Sequence, residues 1–274
     1  VRPIEQHRVW GVSCVLRVGT TGGGGDFYFK CGNQFPLAAN EPKLMTYLSG
    51  LFPEIVPAPA ATQVDLNWQL LPDFGGQLAW GASAEQLAAG YEALATIQIN
   101  LVDQIGHLIE IGCADRCMDK LIGHIDLLMA DLHLLAGLTE AEIQRLRRLA
   151  PELKGMCGQL EALNIPYSLV HGDFYAGNVA LQEDKTLIFD WAEGCVAHPF
   201  FDMLDLFEKE LEAPQDDLRD RYLAVWEARF PRETLVEAWA LAKPLSALHT
   251  AVSSFYIWRN LEDVAKPQLA WAVP

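Results

Sequence analysis

The chain is short of positive charge. Its 274 residues carry 20 Lys and Arg against 36 Asp and Glu, a formal net charge of −16. A surface this acidic repels nucleic acid and anionic lipid, whose binders gain affinity by neutralising phosphates or head groups. No apolar run approaches 18 residues and no signal peptide is apparent, so no membrane partner is expected and the expected compartment is the cytoplasm. The six cysteines, Cys14, Cys31, Cys113, Cys117, Cys157 and Cys195, follow no disulfide-framework spacing. Free thiols are the expectation. Internal repeats and low-complexity tracts are missing too. With 51% hydrophobic and 20% charged residues, disorder is excluded.

What is present is a globular chain of a length that suits one large domain or two packed lobes. Its charge is unevenly placed. Residues 1–75 hold 5 basic and 6 acidic residues, whereas residues 76–274 hold 15 and 30. The acidic excess therefore belongs to the second part. Solvated helix faces account for such charge, and so does a field that attracts a cationic ligand. Cys113 and Cys117, with His107 and His124 nearby, have metal-ligand chemistry in kind. Four apart on a helix, they read as packing residues instead.

The first 75 residues read as strands. His7–Val18 and Phe27–Cys31 are β-rich runs around a glycine cluster, which signals a hairpin. Gly22–Gly25 is read as a turn and not as a phosphate loop, because no Lys-Ser/Thr pair follows it. A short helix is expected over 38–51, with Leu44, Met45, Leu48 and Leu51 at helical spacing, ended by Pro53. A strand over 67–71 then runs into Asp73–Gly76, where a lobe boundary is placed near residue 75. The remainder reads as mainly helical. Ser83 with Gln86 and Thr139 with Glu142 have capping-box spacing, and helices are expected over 84–99, 101–135 with breaks, and 140–162. Around residues 167–189 the helical pattern gives way to short apolar runs separated by polar loops.

Those loops hold the chemistry. Asp173 follows SLVHG, Asp190 follows TLIF, and Asn178 lies five residues beyond Asp173. Magnesium takes one or two protein carboxylates and completes its shell with substrate phosphate and water. Each residue alone is ordinary in a turn. Together, at the ends of strand-like runs, they form an oxygen-rich set suited to that ion.

HGDFYAGN (His171–Asn178) and LIFDWAEG (Leu187–Gly194) resemble the catalytic loop and the metal-binding segment of the aminoglycoside phosphotransferase and choline kinase superfamily. The stretch Gly194–Met203 resembles the segment that follows, with Asp202 as its structural carboxylate. The resemblance implies an α+β, two-lobed, protein-kinase-like fold. Residues 1–75 would be a small β-rich nucleotide lobe and residues 76–274 a larger, mainly helical lobe with the acceptor site. It implies an ATP-dependent (or GTP-dependent) kinase with Mg2+ as cofactor. Asp173 would be the catalytic base, and Asn178 and Asp190 the metal ligands. Lys30 would hold nucleotide phosphates and Glu41 would orient it, with Glu54 as a rival for that role. Ser13, in the Trp10–Ser13 turn, would cover the phosphates. Leu71 and Asp73 would stand in the hinge beside adenine. His171 would brace the loop, Tyr175 would approach the substrate, and Glu193 is read as an exposed turn residue.

The expected partners are a nucleoside triphosphate and a small hydroxylated acceptor, aminoglycoside-, choline- or sugar-like. The acidic stretch Asp202–Asp220, with Asp205, Glu208, Glu210, Glu212, Asp216 and Asp217, favours a cationic one. The chain is expected to act as a monomer or weak dimer. A protein kinase fits less well, because Tyr175 stands where protein kinases carry a lysine. A non-catalytic nucleotide-binding module on the same scaffold is the alternative, and the intact Lys30, Asp173, Asn178 and Asp190 speak against it.

Overall fold

The computed structural model describes residues 3–21, 25–32, 34–131, 137–183, 185–208 and 215–269. The β-rich start of the chain forms one antiparallel sheet. β1 (Ile4–Trp10) turns at Gly11–Val12 into β2 (Ser13–Val18), and β2 returns as β3 (Phe27–Gly32). The run from His7 to Val18 is thus two strands, and the hairpin expected around the glycine cluster is β2–β3. Gly22, Gly23 and Gly24 lie outside the described residues. β4 (Ala61–Gln63) and β5 (Trp68–Pro72) complete the sheet in the order β1-β2-β3-β5-β4.

α1 (Glu41–Leu51) crosses between β3 and β4. It starts three residues later than the apolar spacing predicts because Asn40 caps it, accepting from Lys43 N at 3.2 Å, with Pro42 in the first turn. Leu44, Met45 and Leu48 are fully buried, a contribution of about 1.5–3 kcal/mol each. Leu51, expected on the same face, is half exposed.

The chain leaves the sheet through Gly75 and Gly76. Gly76 has φ +92°, and a Cβ there would lie 2.7 Å from the Leu181 carbonyl oxygen, so this crossing admits only glycine. Seven helices are described beyond α1: α2 (Ala84–Leu101), α3 (Ile105–Glu110), α4 (Met118–Ala130), α5 (Glu140–Ala162), α6 (Leu204–Glu208), α7 (Gln215–Trp226) and α8 (Arg232–Asn260). Both expected capping boxes form, at Ser83–Gln86 and Thr139–Glu142. The region expected to be helical over 101–135 holds α3 and α4 with a two-residue strand, β7 (Ala114–Asp115), between them, and residues 132–136 lie outside the described ones. The helical placement of Cys113 and Cys117 is therefore corrected. Cys113 is buried just before β7, and Cys117 caps α4. β7 pairs with Cys195–Ala197 and turns the chain out of helix at that point.

Two small sheets frame the loops of interest. β6 (Gln77–Leu78), β9 (Val179–Leu181) and β10 (Thr186–Ile188) form one, in the order β10-β9-β6. β7, β8 (Ser168–Val170) and β11 (Cys195–Ala197) form the other, in the order β7-β11-β8. The loop after β8 and the loop after β10 thus emerge side by side. Beneath them Trp191, Phe200, Tyr222, Trp226 and Phe255 are essentially fully buried, which anchors both loops to the helices. Among the described residues no helix is long and apolar enough to cross a membrane.

Candidate active site

Three charged side chains from distant parts of the sequence converge where the first sheet meets the loop after β10. Lys30, buried on β3, places Nζ 2.8 Å from Glu41 Oε1 and 2.7 Å from Glu41 Oε2. The same nitrogen lies 2.5 Å from Asp190 Oδ1. Glu54, the rival for Glu41, pairs instead with Lys185. The local packing makes this convergence possible. Ala39 N donates to Ala192 O at 2.8 Å, and a Cβ on Gly194 would lie 2.5 Å from Leu44 Cδ2, so α1 rests directly on the segment that carries Asp190. Burial by itself would lower the Lys30 pKa, yet Asp190 and Glu41 outweigh it and raise the pKa above the ordinary lysine value. Burial opposes the ionisation of Asp190 too, but Lys30 holds its pKa below the usual carboxylate range. Glu41 is raised by burial and by Asp190, against the pull of Lys30.

The loop after β8 is fixed from below. Asp202 is buried and accepts from His171 N at 2.8 Å, Gly172 N at 2.9 Å and Gln98 Nε2 at 2.9 Å. Burial nevertheless pushes its pKa up to about 7. The His171 ring is also buried. Nε2 faces the Phe189 carbonyl oxygen at 3.0 Å and Nδ1 accepts from Asp173 N at 3.3 Å, an arrangement that assigns the proton to Nε2. Desolvation lowers its pKa to about 4, so the ring is a neutral brace. Asn178 Nδ2 donates to Asp173 O at 2.8 Å and Asp173 Oδ2 at 3.1 Å. Phe189 N donates to Asn178 O at 3.1 Å, which ties the two loops together. Asp173 is exposed, and among the described residues no hydrogen bond to its Oδ1 is formed. The surrounding protein, with the like charge of Asp190 and, more weakly, Asp205, raises the Asp173 pKa to about 6.

Glu193 is not the exposed turn residue the sequence led us to expect. It is half-buried, packs on Gly172 and hydrogen-bonds Ser253 from α8. Burial and the neighbouring Asp173 push its pKa to about 8. Ser253 in turn accepts from buried Arg116 Nη1 at 2.7 Å, and Arg116 Nη2 donates to His249 O at 2.5 Å. Nothing in the spacing of Arg116 signalled this arrangement, because its partners lie more than 130 positions away. The acidic stretch divides. Asp202 is structural, Asp216 and Asp220 pair with Arg219, and Asp220 also pairs with Arg232. Asp205 is among the charges that act on Asp173. Glu210 and Glu212 lie outside the described residues, as does the side chain of Glu208.

Ser13 opens β2 opposite Trp10 and Gly32, at the turn over the cleft. Leu71 is buried on β5 opposite Tyr28. Asp73, expected in the hinge, has its own backbone N–H and carboxylate engaged within the protein. That N–H donates to Asp26 O at 2.8 Å, and the carboxylate folds back on Gly75 N at 3.0 Å. The neighbouring Phe74 carbonyl is likewise taken, by Gln182 Nε2.

The donor set suits a hard divalent cation. Lys30 occupies Asp190 Oδ1 and leaves Oδ2, and Asn178 commits its amide nitrogen and leaves its oxygen. The Asp190 side chain is 41% exposed on a backbone with φ +65°, a conformation that Asp tolerates better than most residues. Among the described residues no group of three or more His, Cys, Asp or Glu is arranged to hold a metal. Magnesium does not need one, since phosphate oxygens and water complete its shell.

The profile described as the phosphotransferase enzyme family matches residues 13–244. No match is found among curated proteins. Among solved structures, a choline/ethanolamine kinase family protein from Mesorhizobium loti is 14% identical, with 98% of this chain and 86% of that chain covered and a TM-score of 0.66. Macrolide 2'-phosphotransferase MphH from Brachybacterium faecium is 16% identical, with 98% and 91% covered and a TM-score of 0.60. The APH(2")-IIa protein, solved as a ternary complex with streptomycin and ATP, is 13% identical, with 99% and 91% covered and a TM-score of 0.60. These likenesses share one fold, protein-kinase-like, with a sheet-rich first part and a helical remainder. The chain belongs to the phosphotransferase enzyme family.

Proposed function

We propose that this member of the phosphotransferase family moves the γ-phosphoryl group of ATP to a hydroxyl of a small, cationic molecule. Mg2+ is the cofactor, and residues 1–75 and 76–274 act as nucleotide and acceptor lobes. The observation that carries this reading is the meeting of Lys30, Glu41 and Asp190 beside the open oxygen of Asp173. Phosphoryl transfer passes through a loose transition state, so positioning and charge neutralisation supply the catalysis. The acceptor oxygen forms its bond to phosphorus as the bond to the β–γ bridging oxygen breaks. ADP leaves with that electron pair, and the hydroxyl proton passes to Asp173 Oδ1.

Lys30 holds the α- and β-phosphates and Glu41 keeps it aimed. Ser13 lies in the turn over them. Leu71 forms an apolar wall for the base, and Asp73 orders the connector. Asp190 Oδ2 and Asn178 Oδ1 would hold the metal, which would neutralise charge on the phosphate oxygens. The cationic preference rests on Asp205 beside Asp173 and on Trp80, which is 57% exposed and whose ring lies 5.5 Å from that of Tyr175. The six cysteines are unpaired thiols, as suits a reducing cytoplasm.

A coupled ADP-release screen with mass detection of the product tests this reading. The panel comprises aminoglycosides, choline-type alcohols, amino alcohols and neutral sugars. Cationic acceptors should exceed neutral sugars in kcat/KM by about tenfold, the scale of one such contact. Preference for a neutral sugar would remove the cationic assignment. Nucleotide binding without a phosphorylated product from any acceptor would favour the non-catalytic module.

A further inference from the structure

We propose that Arg8 is a catalytic residue that binds the γ-phosphoryl group during transfer, an assignment that rests on the kinase reading above and names a further member of its site. Sheet register places it there. Arg8 stands opposite Val15 on β2, and Val15 stands opposite Lys30 on β3. Directly opposed residues of an antiparallel sheet share a face, so Arg8 and Lys30 project from the same one. Ser13, two residues from Val15, is on it as well.

The strand is irregular just before Arg8. Gln6 pairs with Leu16 and Arg8 with Val15, so His7 is an extra residue, a bulge in β1. Bulges bend and twist a strand and re-aim the side chains beside them. The His7 ring rests against Tyr28, at 5.3 Å between centroids. The exposed Arg8 side chain reaches across the cleft, where it hydrogen-bonds Tyr175, two residues past Asp173. Its charge also acts on Asp190. One guanidinium thus spans from the phosphate-covering hairpin to the loop where acceptor and phosphoryl group meet.

The chemistry of the site calls for such a group. Lys30 is held by two carboxylates, and the lobe behind it is acidic. The transferring phosphoryl group spreads charge over three equatorial oxygens. A planar guanidinium offers paired donors that match phosphate oxygens, which a lysine cannot do. A neutral phenol is the weaker partner, so an incoming phosphate displaces it.

Calorimetric titration with Mg2+ and either the β,γ-imido analogue of ATP or ADP tests the assignment on the full chain. Arg8→Ala should weaken the triphosphate about tenfold or more and ADP less than twofold. The acceptor-dependent rate should fall about 100-fold, below the range of a supplied arginine because Lys30 remains. Arg8→Lys should restore part of the triphosphate affinity and little of the rate. Because Arg8 is exposed, the melting temperature should stay within about 2 °C, which separates a lost contact from a lost fold. Equal weakening of both nucleotides, or no change in either, overturns the role of Arg8 alone. A wild-type chain that binds neither nucleotide overturns the kinase reading and this assignment with it.

Discussion

The sheet face with Arg8 and Lys30 and the loops with Asp173, Asp190 and Asp205 meet across one cleft, where both cations act on Asp190. The sheet side is nearly neutral in sum, with 5 basic and 6 acidic residues over 1–75, and its cations are individually placed, Arg17 beside Asp26 and Lys30 between Glu41 and Asp190. The loop side belongs to the part that carries almost all of the net charge. The contrast teaches that, on the function proposed above, net charge does not deliver the nucleotide. Register does so, by setting particular cations opposite particular carboxylates, with Lys30 joined to Asp190 over 160 positions of sequence.

Removing the central cation should break the contrast most. Lys30→Met should lower kcat/KM for ATP by about 10³-fold, the upper end for losing one preorganised donor to a developing charge. A steady-state titration of ATP reads this, and a loss under tenfold would mean the sheet side contributes shape more than charge. Next in size, Asp202→Asn should cost about 1–3 kcal/mol in urea unfolding. Three donors converge on that carboxylate, and an amide nitrogen would face at least one of them. The loop above would loosen, so kcat should fall while the ATP affinity set by the sheet side persists.

The smallest effect asks whether the contrast ends beneath the loops, where the charged groups give way to neutral histidine. Burial holds the His198 pKa down to about 3. The unfolded chain binds a proton near pH 6.5 and the folded chain resists until about 3, so stability falls as pH drops through that window. The slope is about 1.4 kcal/mol per pH unit for each such histidine. His198→Asn keeps an acceptor for the Phe200 N–H and removes the titration. Urea unfolding at pH 7, 6 and 5 should show a shallower decline by about that amount, and an unchanged decline would mean His198 is charged when folded.

Much of this site was legible in the sequence because its chemistry is local. His171 to Asn178 is one loop, and Asp190 ends one strand, so two short stretches carried the resemblance that implies their roles. The capping boxes at Ser83 and Thr139 are equally local, and both helices begin where they indicate. What sequence could not show depends on register and on distant partners. A one-residue bulge at His7 leaves no trace in composition, yet it sets the surroundings of Arg8. Arg116 has no motif, since Ser253 and His249 meet it only after α8 folds back. Glu193 looked exposed because it follows a turn, and its burial comes from Gly172, whose φ of +85° lets the two loops touch. The partner of the Asp73 amide was hidden for a similar reason, because it is Asp26 at the far end of the β2–β3 connection.

The most direct test of a cleft built for phosphoryl transfer is the rate of phosphorylated-acceptor formation by Asp173→Asn, measured with saturating ATP and Mg2+ beside the wild type. Asparagine keeps the size of the side chain and cannot take the proton. The account predicts a loss of about 10²–10⁴-fold with ATP affinity within about threefold of wild type. A rate that survives the substitution unchanged would contradict it.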